Sequence, residues 1–423
     1  MSSKLLNTCW EHHPLLSTGI QVLRSRPVRV FILAVVVALS IVWLLNIARL
    51  SSIHEQYPPV PRERFYHWNT KPVVTPYSEV YAGTPCKRFP ANVFETVQVV
   101  LKTGMTEEPQ RLLTHLKSVT KCIPNLLIVS DHDDVVNDHK IYDVLAKLPA
   151  SYGEGNPDFE TYHTQKALKD SDNITQYNTE AGWKLDRFKF LPMVYTAYNM
   201  SPKAQWFVFI ETDTYIFWDN LFRLLSQFDS SVPLYMGSPL HGDNHGEDYI
   251  YAYGGSGIVL SRAATHALLE RKTDKNGAYI EDELCEQEYW VGMLKNSTYG
   301  ESILGYALQK KAGVKLNGFY PMFHPMNPES LKFSEENLCT PIISLHKLRS
   351  EKYEVLWNWE MGPGNTQVGL DDLRLQSIIR ETNVNPAYSF LEPSRIPPPA
   401  QKPHPERLAQ LVSRSVNQRK CPH

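Results

Sequence analysis

An apolar run of strand length ends in two closely spaced carboxylates near the middle of this chain. The run covers residues 206–210, and Glu211 and Asp213 follow it, two positions apart. Side chains two positions apart in an extended chain point to the same side. Because open α/β sheets bind ligands at the carboxyl ends of their strands, the segment predicts an oxygen-rich site for Mg²⁺ or Mn²⁺. The alternative interpretation is a plain strand and turn, with Asp213 capping the next helix.

Composition limits the classes of protein to consider. The chain has 423 residues, enough for one large or two ordinary domains, and 42% of them are hydrophobic. The formal net charge is -2, whereas nucleic-acid binding needs a concentrated positive surface. We therefore expect a folded protein whose main partner is not a nucleic acid.

An uncharged apolar segment near the amino terminus predicts a membrane anchor. It covers residues 30–48, and Arg24, Arg26 and Arg29 precede it. The length is close to the short limit for a membrane span, about 17–25 residues. The excess of arginine on its amino-terminal side places residues 1–29 in the cytosol and the remainder of the chain in the lumen. No small-residue cleavage site follows, which favours a retained signal-anchor.

The lumenal location predicts oxidised cysteines. We expect Cys86 to pair with Cys122 and Cys285 with Cys339, leaving Cys421 free. Their spacings match no zinc motif, and sequence alone does not establish the connectivity.

Changes in composition divide the chain into five parts. A cytoplasmic tail at 1–29 and a span at 30–48 precede a proline-rich stem at 49–90. A catalytic domain is expected at 91–385, and a proline-rich basic tail occupies 386–423.

The start of the expected catalytic domain predicts a parallel sheet. A strand at 97–101, a helix at 109–120 and a strand at 125–130 follow one another, which is the order of a right-handed βαβ unit. The polar stretch 152–180 is interpreted as a long loop or insertion, and 184–200 as a helix kinked at Pro192.

The motifs around this framework resemble those of a known family. Trp183, the segment 206–215 and the Gly-Gly-Ser-Gly-Ile-Val-Leu-Ser segment at 254–261 resemble blocks of the fringe and core-1 β1,3-galactosyltransferase family. The resemblance covers residues 86–362 and is stronger to the fungal-type members. It implies a GT-A fold, which is a Rossmann-like mixed sheet that binds a nucleotide sugar. It also implies a type II Golgi membrane enzyme, a UDP-sugar donor, Mn²⁺ (or Mg²⁺), and inversion to a β1,3 linkage.

The same resemblance suggests metal ligands. It makes Asp213 the residue that touches the metal, while Glu211 replaces the usual first aspartate and reaches the ribose, a water or the metal. His346 and the Leu-Trp pair that ends at Trp357 resemble a late block of the family, which makes His346 the second ligand. His324 is the alternative, and for either histidine a hydrogen-bonded structural role is the competing interpretation.

Inverting transfer also needs a general base that takes a proton from the acceptor hydroxyl. By resemblance to the acidic block of the family, Glu301 is the base, although Ser302 stands where animal members have an acid. Asp282 is the alternative. Either residue is otherwise read as an exposed acid at the start of a helix.

Further candidates concern the two substrates. Lys184 and Arg187 are candidates for the diphosphate and Asp131 for the uridine or ribose, by their positions in the chain. By resemblance, Gly254 and Gly255 line the donor pocket, and their lack of a side chain permits close approach of a ligand. A tight turn without a ligand is the competing interpretation.

Two tryptophans close to His346 are candidates for acceptor binding. Trp357 and Trp359 could stack on a sugar, and a place in the core is the alternative. The expected function is transfer of a sugar, galactose in the simplest case, from a UDP-sugar to a glycan or glycoprotein. The alternatives are a lumenal, chaperone-like relative without catalysis, which Glu211 and Ser302 favour, and a tethered structural protein without a nucleotide site.

Overall fold

The computed structural model describes residues 27, 30, 33–45, 86, 96–170, 179–244, 247–328, 331 and 341–362. The chain divides into two units, residues 1–59 and 60–423. In the first unit, residues 33–45 are helical. Among the described residues, no helix combines the length and apolar character needed to cross a membrane. The predicted span 30–48 extends beyond those residues, and so do nearly all of the predicted tails and stem.

The second unit contains a mixed eight-stranded sheet, which agrees with the expected fold class. The strands of this sheet are β1 (Val97–Lys102), β2 (Leu126–Ser130), β3 (Asp134–Val136), β4 (His139–Asp143), β5 (Trp206–Glu211), β7 (Tyr235–Gly237), β10 (Ile258–Ser261) and β11 (Leu316–Gly318). Their order in the sheet is β11-β7-β10-β5-β1-β2-β4-β3. The central strands β5, β1, β2 and β4 are parallel, whereas β10 runs antiparallel to both β5 and β7.

Two smaller sheets flank the large one. Strands β6 (Thr214–Ile216), β12 (Phe323–His324) and β13 (Ser344–His346) form a three-stranded sheet with β13 in the centre. Strands β8 (Pro239–Asn244) and β9 (Glu247–Ala252) form a hairpin. The three-stranded sheet matters for function because it brings the late part of the chain beside the segment that follows β5.

Nine α-helices are described in the second unit. They are α1 (Pro109–Lys117), α2 (Pro157–Asp170), α3 (Thr179–Leu185), α4 (Phe190–Met200), α5 (Trp218–Leu225), α6 (Arg262–Leu269), α7 (Glu288–Asn296), α8 (Gly300–Lys310) and α9 (Ser350–Glu360). Short 3₁₀ helices cover Ala150–Tyr152, Asp186–Lys189 and Gly254–Ser256.

The predicted loop at 152–180 is wrong, because α2 and the start of α3 occupy most of it. Pro157 opens α2, a position where its missing N–H costs nothing. Phe159, Tyr162 and Gln165 are buried at intervals of three, which provides the stripe that holds an otherwise polar helix on the core.

The helix predicted at 184–200 is divided. The 3₁₀ helix Asp186–Lys189 separates α3 from α4. Pro192 lies in the first turn of α4, where a backbone N–H has no partner within the helix. The interruption therefore comes before the proline and not at it.

The core lies on both faces of the large sheet. Alternate side chains of β1 point to opposite faces, so Val99 and Leu101 pack on one side and Val100 on the other. All six residues of β1 are buried, which explains the continuous apolar runs of the central strands.

One predicted disulfide is confirmed. Cys86 and Cys122 are bonded with their Cα atoms 4.9 Å apart, which ties the segment before β1 to the region after α1. Cys285 is a buried free thiol, while its predicted partner Cys339, like Cys421, lies outside the described residues.

Candidate metal centre and active site

Three side chains that could hold a metal ion meet at the carboxyl end of β5. One ligand atom from each of Glu211, Asp213 and His346 lies within 4.8 Å of the others. His346 reaches this point because β13 pairs with β6 and places it opposite Thr214, next to Asp213. The chain runs from β1 outwards through β2 to β4 and returns to the other side of β1 as β5. Such a reversal is where open α/β sheets form ligand crevices.

The hydrogen bonds of His346 leave one ring nitrogen available. Its Nδ1 is 2.9 Å from the Pro325 carbonyl oxygen, which can only accept, so Nδ1 carries the proton. In the neutral ring Nε2 has no proton, and it lies 3.5 Å from Asp213 Oδ1. In the protonated ring the Nε2–H group faces Asp213; burial lowers the pKa of His346, but this hydrogen bond and the charge of Asp213 outweigh burial, so the pKa is raised. A metal ligand needs this orientation, with the second nitrogen fixed by a carbonyl.

Glycine is required beside this imidazole. A Cβ atom placed on Gly255 would lie 2.3 Å from His346 Nε2, and one on Gly254 would lie 3.2 Å from Glu211 Oε1. Both predicted glycines therefore lie at the cluster. The alternative ligand His324 is buried in β12, where its Nε2 is 3.3 Å from the Asn327 carbonyl, and it does not belong to the cluster.

A buried lysine occupies one side of the cluster. Lys102 lies opposite Glu211 in the β1–β5 register, and its Nζ is 3.1 Å from Glu211 Oε1. It also pairs with Asp186. Burial lowers the pKa of Lys102, but the charges of Asp186 and Glu211 raise it above its ordinary value. Lys102 was not predicted as a site residue, although it ends a buried strand that lies beside β5.

The candidate base Glu301 lies in a pocket next to the metal candidates. The pocket has a volume of about 90 Å³, and its lining includes Glu301, Glu211, Tyr253 and Gly255. Burial raises the pKa of Glu301 to about 7, and the negative charge of Glu211 contributes further. Asp282, the alternative base, is exposed and is not part of this lining. The geometry therefore unites Glu301, and not Asp282, with the metal candidates.

A larger cavity opens at the ends of β1 and β2. Its volume is about 240 Å³, and Thr103, Gly104 and Glu107 line it. Thr212, between the two carboxylates of the motif, donates a 2.5 Å hydrogen bond to Glu107 Oε2. Burial raises the pKa of Glu107 to about 7.

Arg111, at the start of α1, lies 3.9 Å from Asp213 Oδ2. Glu107 and Arg111 were both missed, although they lie in the loop and the helix that follow the first predicted strand.

The predicted diphosphate and nucleoside contacts lie in other surroundings. Lys184 is exposed on α3 and lines neither cavity. Arg187 lines the smaller pocket, but its guanidinium pairs with Asp158 and donates to the Leu294 carbonyl at 2.9 Å. Asp131 is 1% exposed and accepts a hydrogen bond from the Met105 N–H at 2.8 Å. It thereby holds the loop that lines the larger cavity.

The predicted acceptor tryptophans lie on α9. Trp357 is 5% exposed and belongs to the core, and Trp359 packs against the same core. Neither lines the two cavities described above. Their positions agree with the alternative interpretation, in which both rings stabilise the fold.

A family model described as Fringe-like matches residues 159–355. The matched part contains Glu211, Asp213, Gly255, Glu301 and His346, which are the residues that meet at this site. The Fringe-like family is a family of glycosyltransferases. We conclude that residues 159–355 contain a Fringe-like glycosyltransferase domain, which confirms the predicted resemblance to the fringe and core-1 family.

Proposed function

We propose that this protein is an inverting, metal-dependent transferase that moves a sugar from a UDP-sugar to a glycan or glycoprotein in a β1,3 linkage. Galactose is the proposed sugar. The observation that supports this most directly is the cluster of Glu211, Asp213 and His346, with Glu301 in the adjoining pocket. A fungal-type affiliation is part of the same proposal.

The residues of the cluster fit Mn²⁺ or Mg²⁺. Two carboxylates and one neutral imidazole nitrogen suit such an ion and leave positions for substrate oxygens. Asp213 and His346 would hold it, with Glu211 as a third ligand or as a contact to the ribose. A Cβ at position 255 would block the imidazole nitrogen, which supports a ligand role for His346. When bound, the cation would supply neutralising charge to the departing diphosphate.

Glu301 is the proposed base. Its carboxylate would accept the proton of the acceptor hydroxyl as the hydroxyl oxygen bonds to the anomeric carbon. The bond between that carbon and the diphosphate oxygen breaks at the same time, and UDP leaves. A pKa of about 7 makes the group a good proton acceptor at neutral pH.

The larger cavity is the proposed place for the nucleoside part of the donor. Arg111 is positioned for the diphosphate because its guanidinium lies close to Asp213. Glu107 lines the cavity and could accept a hydrogen bond from a ribose hydroxyl. Asp131 would act indirectly, by holding the loop that lines this cavity. The positions of Lys184 and Arg187 support a contact with the diphosphate less well than the position of Arg111 does.

We propose that the protein is a type II membrane protein of the Golgi or the ER–Golgi route, anchored by residues 30–48. The Cys86–Cys122 bond supports an oxidising compartment for the catalytic domain.

Turnover of UDP-galactose tests the proposal. UDP release is measured with Mn²⁺ and a panel of glycan acceptors for the wild type, Asp213→Asn and the control Asp229→Asn. Asp229 is an exposed aspartate in a turn after α5, outside both cavities. Loss of the metal contact should lower turnover by about 100-fold or more, because metal stabilisation of the leaving group is worth several kcal/mol. Equal turnover in the wild type and Asp213→Asn would exclude the proposed metal role.

The chaperone-like alternative has one observation in its favour. Lys102 Nζ already forms an ion pair with Glu211, a predicted ligand, at 3.1 Å. A chaperone-like protein should bind a UDP-sugar in calorimetry but should show no turnover with any glycan acceptor of the panel. A structural protein without a nucleotide site predicts no change in thermal stability with UDP and Mn²⁺.

A further inference from the structure

Two exposed aromatic rings stand at the pocket that contains Glu301. Trp183, near the end of α3, is 55% exposed, and Tyr299, directly before α8, is 48% exposed. Their ring centroids are 6.4 Å apart with an interplanar angle of 81°. Both residues line the pocket together with Glu301 and Glu211. Large rings of this kind are usually buried, so a pair at the edge of an acidic pocket needs a reason.

We propose that Trp183 and Tyr299 form the acceptor subsite, on which a pyranose ring of a carbohydrate acceptor packs while its hydroxyl group points to Glu301. This inference rests on the proposed transferase function and adds the acceptor class and its contacts. The apolar face of a pyranose, which consists of C–H groups, is complementary to an aromatic ring, whereas its edge carries the hydroxyl groups. Tyr299 is two residues from Glu301, so a ring held there lies beside the candidate base.

The small volume of the pocket supports an aromatic platform, formed by Trp183 and Tyr299, at its edge. Its volume of about 90 Å³ is below the ~300–1,000 Å³ of pockets that enclose a whole ligand. Only the reacting edge of an acceptor would enter, and the rest of the ring would remain outside. Trp183 and Tyr299 offer the apolar surface that this outer part needs.

Close glycine contacts fix the backbone on both sides of the platform. A Cβ on Gly300 would lie 2.2 Å from the Arg187 carbonyl oxygen, so Tyr299 is held against the 3₁₀ helix Asp186–Lys189. A Cβ on Gly182 would lie 2.2 Å from Thr106 Oγ1, so the residue before Trp183 is packed on the loop after β1. The two rings are therefore carried by firmly packed segments, which lowers the entropy cost of binding.

The experiment compares acceptor binding in variants of the full-length protein. The variants are Trp183→Ala, Tyr299→Ala and the ring-retaining Trp183→Phe, with Tyr279→Ala as the control. Tyr279 is 64% exposed and does not line the pocket. The probes are methyl glycosides of galactose, N-acetylgalactosamine, glucose and mannose, used with UDP-galactose and Mn²⁺. A threonine-containing peptide serves as a non-carbohydrate acceptor.

Each alanine variant should raise the acceptor KM about 10-fold, because one lost aromatic contact is worth up to about a factor of ten. The donor KM and acceptor-independent UDP release should stay within about twofold of the wild type, and Trp183→Phe should recover most of the loss. An unchanged acceptor KM in both alanine variants would overturn the inference. A preference for the peptide over every glycoside would overturn it as well.

If the protein is not a transferase, the wild type releases no UDP with any acceptor, and this result is distinct from a failure of the acceptor subsite. Saturation-transfer NMR of the methyl glycosides does not need turnover and still compares the wild type with Trp183→Ala. Signals that weaken in the variant support the platform, and equal signals refute it.

Discussion

The substitution Glu301→Gln should stabilise the folded protein while abolishing transfer. Glu301 is 8% exposed, and its pKa is raised from 4.5 to about 7, chiefly by burial. Each tenfold change in a proton equilibrium corresponds to about 1.4 kcal/mol, so ionising Glu301 costs about 3 kcal/mol more in the folded than in the unfolded protein. At pH 8 this cost is present in full. Glutamine has nearly the same shape but does not ionise, so the variant avoids this cost.

The raised pKa of Glu301 also determines how the free energy of unfolding changes with pH. Between pH 4.5 and about 7 the folded state holds a proton on Glu301 that the unfolded chain has released. The contribution of Glu301 to the free energy of unfolding therefore falls as pH rises through this window. Glu301→Gln should gain about 3 kcal/mol over the wild type at pH 8 and almost nothing at pH 4.5.

Urea unfolding in EDTA at the two pH values measures this difference, and UDP release measures function. Asp282→Asn is the matched variant, because Asp282 is exposed and stands outside the pocket. It should change the free energy of unfolding by less than about 0.5 kcal/mol at either pH. A Glu301→Gln variant that is no more stable than the wild type at pH 8 would refute the reasoning that burial penalises this carboxylate.

Three further predictions concern the metal, the reaction and the fold. Gly255→Ala places a Cβ 2.3 Å from the His346 nitrogen and should weaken Mn²⁺ binding in calorimetry at least about 10-fold. Gly292→Ala, with no atom within 4 Å of the added Cβ, should leave Mn²⁺ binding unchanged. The kcat should fall as pH drops below about 7, where Glu301 becomes protonated, and a flat profile from pH 5 to 8 would exclude this base. Cys122→Ser should cost about 4 kcal/mol in urea unfolding, because the lost disulfide closes a separation of 36 residues, and wild-type stability in the variant would contradict this.

The central strands were predictable because burial on both faces leaves a continuous apolar run. The strand at 206–211 and the preceding βαβ unit are confirmed for this reason. The helix α2 was missed because its inward stripe is short and its remaining surface is polar. The break at Asp186–Lys189 was also missed. In this segment Asp186 pairs with Lys102 of β1 and Lys189 pairs with Asp131, directly after β2, and no local pattern reveals such contacts.

Some residues of the candidate site could likewise be predicted from local sequence patterns, and others could not. Asp213 could be predicted from its place after a buried strand, and His346 only from resemblance to other sequences. The pairing of Lys102 with Glu211 depends on the register between two strands that are distant in the chain. The aromatic pair of Trp183 and Tyr299 likewise forms only when α3 meets the start of α8. Contacts of this kind belong to the assembled fold, so single-sequence patterns do not contain them.

The buried charges around the cluster explain why a divalent cation suits this position. Two buried lysines face four carboxylates, and these residues are Lys102, Lys189, Asp131, Asp186, Glu211 and Asp213. The pKa values of three of the carboxylates are lowered, which keeps them ionised. That of Glu211 is raised, by burial and by the negative charges of its neighbours, despite the contact with Lys102. Arg111 lies 3.9 Å from Asp213, so three cations face the four carboxylates and one negative charge remains when all four are ionised. A divalent cation held by Glu211 and Asp213 would offset this charge and favour the ionised form of Glu211.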